Sequence, residues 1–227
     1  MSRINAPYPG VTYELHDEGD GSPVLLLHGG GGPESVANLG ATIATNHRVL
    51  APTHPGWGQS ERPDWFSGID RLAELYLDLL DDLGLADVDV VGSSMGGWLG
   101  AEMAIRDRGR RIGRLVLIDA SGLPDHEPTF PAPQPGSEWS ERLVTMQELL
   151  GAYGVSDRAL PARLHRISAP TLVVWGADDP IISTEAAHEY ASAVPDAVLE
   201  IIDGAGHVPT LEQPDKTIPK ITQFLTP

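Results

Sequence analysis

Short apolar runs recur along this chain, each followed by a stretch of helical spacing, and that alternation narrows the available folds more than any other feature. Residues 24–27, 48–51, 88–91, 114–119, 171–175 and 198–202 read as strands, and 11–16 as an N-terminal edge strand. Helical spacing covers 35–44, 69–83, 95–108, 184–194 and 214–225. The pattern predicts an α/β fold, a mostly parallel central sheet flanked by helices. In the second helix Leu72, Leu75, Leu79, Leu80 and Leu83 form one apolar stripe expected in the core, opposite Asp70, Glu74, Asp78, Asp81 and Asp82. Pro219 falls inside the last helix, where an interior proline costs about 3 kcal/mol, so a kink or a late start is expected there.

One segment breaks the alternation. Residues 121–168 carry Pro124, Pro128, Pro131, Pro133, Pro135 and Pro161, one helical stretch near 139–150 and no strand signal. Connections of that length inside a compact domain are usually functional or disordered. The organisation expected is a core of residues 1–120 and 169–227 with a small lid insertion at 121–168, and no internal repeat.

Composition removes whole classes of function. The chain has no Cys, which excludes disulfides, thiolate nucleophiles, thiolate zinc sites and iron–sulfur clusters together. Against 15 Lys and Arg stand 32 Asp and Glu, a net charge of −17 spread along the chain, which repels phosphate backbones and anionic membranes. Nucleic acid and membrane partners are therefore not expected. No apolar run approaches the roughly 20 residues that span a bilayer, and the first ten residues lack a signal-peptide pattern, so the expected location is the cytoplasm. A homo-oligomer is left open.

Four sites carry the chemistry. Gly92-Ser93-Ser94-Met95-Gly96-Gly97 follows a predicted strand and opens a predicted helix, matching G-x-S-x-G in the context that motif requires. A strand turning abruptly into a helix strains its corner residue and needs small neighbours two positions away, which Gly92 and Gly96 supply around Ser94. Ser93 is disfavoured because its own second neighbour lacks that glycine. The Met95 N–H at the helix start is a candidate oxyanion donor. His28-Gly29-Gly30-Gly31-Gly32-Pro33, after the strand at 24–27, lets backbone N–H groups approach a ligand and offers a second donor. It is not a dinucleotide loop, since Glu34 or Ser35 stands where G-x-G-x-x-G needs its last glycine.

Asp178 and Asp179 follow the strand at 171–175 and compete for one role at the sheet edge where open α/β sheets place ligands; an Asp before Pro180 is also a common turn starter. His207 lies between Gly206 and Val208-Pro209 after the strand at 198–202. Alone it reads as a surface histidine. The order Ser94, then Asp178 or Asp179, then His207, each just past a different strand, reproduces the Ser…Asp…His order of α/β-hydrolases.

The motifs at 24–32, 47–60, 91–97, 172–180 and 204–209 together resemble the α/β-hydrolase family, nearest its esterase and meta-cleavage-product (C–C bond) hydrolase branch. The resemblance covers nearly the whole chain outside 121–168. It implies an α/β-hydrolase fold, with Ser94 the nucleophile, His207 the base, Asp179 the acid, and the backbone N–H groups of Gly30 and Met95 the oxyanion hole. This chain departs from the family at Thr53-His54, where relatives often carry Asp, at Ser93, where that branch often has Asn, at Val208, where Trp is frequent, and in its short lid. A network of different hydrogen bonds is expected around residue 54.

The expected function is a serine hydrolase cleaving a small carboxylic ester or lactone through an acyl-enzyme. Alternatives on the same residues are C–C bond hydrolysis of a dienoate-like product, other cofactor-free triad chemistry (perhydrolase, lyase or acyl transfer), and a non-catalytic small-molecule receptor. No cofactor and no metal are implied: His188-Glu189 lacks the second His of H-E-x-x-H. The partner expected is a small-molecule substrate. Gly29, Trp139, Leu143 and Met146 are its candidate binding residues, with Trp57 and Trp98 as further candidates.

Overall fold

A computed structural model describes residues 2–107 and 111–226. Its centre is an eight-stranded sheet of order β1-β2-β4-β3-β5-β6-β7-β8. The strands are β1 (Ser2–Asn5), β2 (Thr12–Glu18), β3 (Ser22–Leu27), β4 (His47–Thr53), β5 (Val88–Ser93), β6 (Ile112–Ile118), β7 (Thr171–Gly176) and β8 (Val198–Ile202). β1 and β2 are antiparallel to their neighbours and every pairing from β4 to β8 is parallel. The expected edge strand at 11–16 is therefore the second strand. β1, which outflanks it, is short, has little apolar pattern and is formed by pairing rather than by burial.

The helices are α1 (Ala37–Ile43), α2 (Ile69–Asp82), α3 (Met95–Arg106), α4 (Glu138–Leu150), α5 (Thr184–Ala193), α6 (Pro209–Glu212) and α7 (Pro214–Leu225). The expected third helix reached residue 108, which lies outside the described residues. Successive strand side chains point to opposite faces, and both faces are covered. Leu25, Leu27, Val90, Leu115, Leu117, Val173 and Trp175 join one buried cluster with α2, α3 and α5. Val24, Leu26, Val91, Val116, Ile118, Leu172 and Val174 join the other with α1 and α7. That two-sided burial is why the strands read as continuous apolar runs.

Two local expectations are corrected. Leu83 is 40% exposed, outside the core stripe of Leu72, Leu75, Leu79 and Leu80, because α2 ends one residue earlier. α7 neither starts late nor breaks at Pro219. Pro219 lies on the exposed side, as does Asp215, whose carbonyl lost its helical donor and is left to solvent. Between β6 and β7 the chain forms short 3₁₀ turns at Pro124–His126, Gly151–Tyr153 and Pro161–Arg166 around α4. Among the described residues no helix is long and apolar enough to cross a membrane.

Candidate active site

The sheet reverses its direction of growth at β3, with β4 on one side and β5 on the other, and the carboxyl ends of β3 and β5 border the crevice this creates. Leu27 is in register with Gly92 there, so the loops beginning at His28 and Ser94 are neighbours. Ser94 stands between β5 and α3 with φ 55° and ψ −118°, a conformation L residues rarely adopt. Hydrogen bonds hold it: its N–H donates to the Ile118 carbonyl (2.8 Å), and its own carbonyl accepts from Gly97 (3.0 Å) and Ser121 (3.2 Å). A Cβ on Gly92 would lie 2.1 Å from the Gly96 oxygen, and one on Gly96 2.2 Å from the Leu27 oxygen. Both glycines are steric requirements of the turn. Gly29 is a third, since its Cβ would come within 2.8 Å of the Ser94 Cβ.

His207 Nε2 is 3.0 Å from Ser94 Oγ, and His207 Nδ1 is 2.8 Å from Asp179 Oδ2. Asp179 uses its two oxygens differently. Oδ1 accepts from the Ile181 (2.8 Å) and Ile182 (3.1 Å) N–H groups, closing the turn over Pro180, while Oδ2 faces the imidazole. One side chain thus closes the turn and faces the imidazole. Asp178 is exposed. With Oδ2 as acceptor, His207 Nδ1 carries the proton and Nε2 is free to accept one from Ser94. This arrangement can activate the hydroxyl and hold the imidazolium that results.

Met95 is the first residue of α3, so its N–H has no intrahelical acceptor. Gly29, Gly30 and Gly31 border a cavity of about 190 Å³ together with Ser35, Ser93, Ser94, His207, Phe130, Pro131, Trp139, Ile181 and Val208. Of the expected binding residues, Gly29 and Trp139 line it. Leu143 and Met146 do not: both are buried in the core cluster, because α4 turns that face inward. The Met146 sulfur comes 3.0 Å from where a Gly30 Cβ would sit, so it packs against the loop. Trp57 and Trp98 are likewise buried and absent from the lining.

Two groups, and the members of a third, escaped sequence reasoning. Glu212 accepts from the Gly206 (2.7 Å) and Val208 (3.0 Å) N–H groups, clamping the backbone on either side of His207. Asp119, just past β6, is fully buried with φ 45°, and burial drives its carboxyl pKa well above the usual range, with the charges of Asp179 and Glu212 adding to the shift. Its position at a strand end was the available signal. The third is an inward chain from the glycine loop. The His54 N–H donates to His28 Nε2 (3.1 Å), so His28 Nδ1–H donates to the Gly29 carbonyl (2.8 Å). His54 Nε2–H donates to the His28 carbonyl (3.0 Å) and Tyr76 OH donates to His54 Nδ1 (2.6 Å). Burial pushes His28 down to about 4 and His54 well below its ordinary value, so both rings are neutral, as this pattern requires. This is the altered network expected around residue 54.

Asp119, Asp179 and His207 place three nitrogen or oxygen atoms within 4.8 Å of one another, the one group of this kind among the described residues. An imidazole already bound to one carboxylate, beside a carboxyl favouring its neutral form, is a poor cation cage.

Comparison with known proteins agrees with this architecture. A family model for the alpha/beta hydrolase fold matches residues 22–150, and a second, for the alpha/beta hydrolase family, matches 122–219. A 2-hydroxymuconate semialdehyde hydrolase of Pseudomonas putida is 29% identical over 263 residues, covering 95% of this chain and 91% of that protein. A 2-hydroxy-6-oxo-2,4-heptadienoate hydrolase of a P. putida strain is 29% identical over 258 residues, covering 95% and 93%. Among solved structures, an esterase from Exiguobacterium antarcticum superposes with a TM-score of 0.83 at 18% identity, covering 100% of this chain and 99% of that one. With its strand order, its strained elbow and a family match across more than half its length, the chain belongs to the α/β-hydrolase family.

Proposed function

We propose that this protein is a serine hydrolase of small, uncharged carboxylic esters or lactones, acting through an acyl-enzyme on Ser94. What supports it is the continuous path of hydrogen-bonding distances from Ser94 Oγ through His207 to Asp179 Oδ2. In this reading His207 removes the Ser94 proton as Oγ attacks the acyl carbonyl, and the N–H groups of Gly30 and Met95 hold the oxyanion. Protonated His207 then gives its proton to the leaving alkoxide. Water, deprotonated by the same ring, attacks the acyl carbon and frees Ser94. Residues 121–168 serve as the lid, contributing Phe130, Pro131 and Trp139 to the cavity wall.

The wall also speaks to substrate charge. Among the described residues that line it there is no Lys or Arg. Arg142, whose guanidinium donates to the Gly31 carbonyl, is paired with Glu34 (3.3 Å) and Glu138 (2.5 Å). A substrate carboxylate would enter this apolar space without a cation, at a cost of several kcal/mol. The second reading, C–C bond hydrolysis of a dienoate, is favoured by the names of the P. putida relatives and uses the same Ser94, His207 and Asp179.

The two readings separate in one panel. A fluorophosphonate probe labels the wild type and fails to label Ser94→Ala. Neutral p-nitrophenyl acetate and butyrate are turned over with kcat/KM about 10²-fold or more above an ester carrying a free acyl-chain carboxylate, the loss expected for a poorly paired buried charge. Faster turnover of a heptadienoate than of any neutral ester establishes the second reading instead, and absence of both labelling and turnover overturns the hydrolase reading.

A further inference from the structure

Asp119 is the least accounted-for group near the site. Its side chain is fully buried, its Oδ1 accepts the Gly176 N–H (2.9 Å), and its Oδ2 is sealed from solvent and receives no donor, with the Asp179 side chain as its polar neighbour. A polar atom left so inside a protein demands an explanation. One of its oxygens lies within 4.8 Å of an Asp179 oxygen and of a His207 ring nitrogen.

Two carboxylates this close and this buried share a proton, because ionising both costs too much. The donors around them decide which keeps it. Asp179 receives two backbone N–H groups on Oδ1 and the imidazole on Oδ2, whereas Asp119 receives a single backbone N–H. The charge is better held on Asp179 and the proton on Asp119.

We propose that Asp119 is a positioning residue for Asp179: a neutral carboxyl whose Oδ2–H points to the Asp179 carboxylate and holds it against His207. The proposal rests on the serine-hydrolase reading for its effect on rate, though not for its effect on the imidazole. Asp179, Glu212 and His207 are the titratable groups facing Asp119, and the first two disfavour a second negative charge there. The burial that raises its pKa acts in the same direction.

A neutral donor and an ionised neighbour affect His207 with opposite sign. A hydrogen bond into Asp179 spreads its charge and weakens its hold on the imidazolium, so removing the donor raises the His207 pKa or leaves it. Were Asp119 ionised, its removal would take away a negative charge and lower that pKa.

The test compares Asp119→Ala with Asp119→Asn, whose amide preserves a donor. Asp119→Ala lowers kcat/KM on a neutral ester about 10- to 100-fold, the range for a hydrogen bond to a charged group, with KM little changed. Asp119→Asn recovers most of that loss. The His207 ring is followed by NMR titration without substrate, and its midpoint does not fall in either variant. A fall of about one unit or more in both variants overturns the neutral carboxyl. Wild-type activity and an unaltered His207 signal in Asp119→Ala overturn the positioning role. If Asp119→Ala does not fold, the direction of the Asp119→Asn titration decides alone. If the wild type hydrolyses no ester, the serine-hydrolase reading fails while the titration still judges Asp119.

Discussion

If His207 is the base that the proposed mechanism makes it, Asp179→Asn lowers kcat/KM about 10⁴-fold on a neutral ester and Asp178→Asn leaves it within about threefold, since of the two carboxylates only Asp179 bonds the imidazole. The size of the effect comes from the tautomer. Asp179 Oδ2 accepts the His207 Nδ1 proton, which leaves Nε2 bare toward Ser94. An asparagine amide turned toward His207 donates instead. The imidazole then places its proton on Nε2, facing a hydroxyl that it can no longer deprotonate. Because an Asn oxygen can still accept from the Ile181 and Ile182 N–H groups, the turn over Pro180 is retained and thermal stability changes little. The loss is therefore in kcat, at a KM close to that of the wild type. Asp178 is exposed and shares none of these bonds. A larger loss in Asp178→Asn than in Asp179→Asn would reverse the assignment.

The site was legible in the sequence where local constraint and function coincide. Gly92 and Gly96 announce the elbow because any Cβ there would strike backbone, a requirement that short-range spacing expresses directly. Ser94, Asp179 and His207 follow in a recognisable order because each sits at the end of its own strand, and the strands are visible as apolar runs buried on both sides. What stayed hidden depends on partners distant along the chain. Asp119 looks like any turn residue after a strand until its burial beside Asp179 is known. The sequence marks a change at Thr53-His54 but not its partners, because the meeting of His28, His54 and Tyr76 is a property of the packed sheet. Leu143 and Met146 had the right chemistry for a cavity wall, but α4 turns that face into the core and presents Trp139 instead. β1 has no apolar signature, since an edge strand can be held by its ladder bonds alone.

Those buried histidines make the protein acid-labile well above the range where carboxylates titrate. His28 has a folded-state pKa pushed down to about 4, and His54 is lowered in the same direction by burial and by its neighbour His28. A group whose folded pKa lies below its unfolded value binds fewer protons when folded, so acidification favours the unfolded chain. The stability these rings contribute is present above the unfolded histidine pKa near 6.5 and is lost as the pH falls toward the folded value. For His28 alone the loss between pH 7 and pH 5 is about 2 kcal/mol. Asp119 acts with the opposite sign: its folded pKa is raised, so the folded state keeps a proton that the unfolded chain releases, and its contribution grows as the pH falls through the same window. Burial raises the Asp89 carboxyl as well, though by less, and two histidines against these two carboxyls leave a net decline. Urea unfolding at intervals between pH 7.5 and pH 5 shows stability falling with pH, less steeply in His54→Gln and more steeply in Asp119→Asn. The slope is the quantity that tests this, since either substitution also shifts the absolute stability by disturbing a buried hydrogen bond. A wild-type stability that stays level from pH 7.5 to pH 5, with slopes unchanged in both variants, would mean that His28 and His54 accept protons inside the fold. The His54 N–H would then lose its acceptor on His28, and the link between Tyr76 and the glycine loop would open without unfolding the protein.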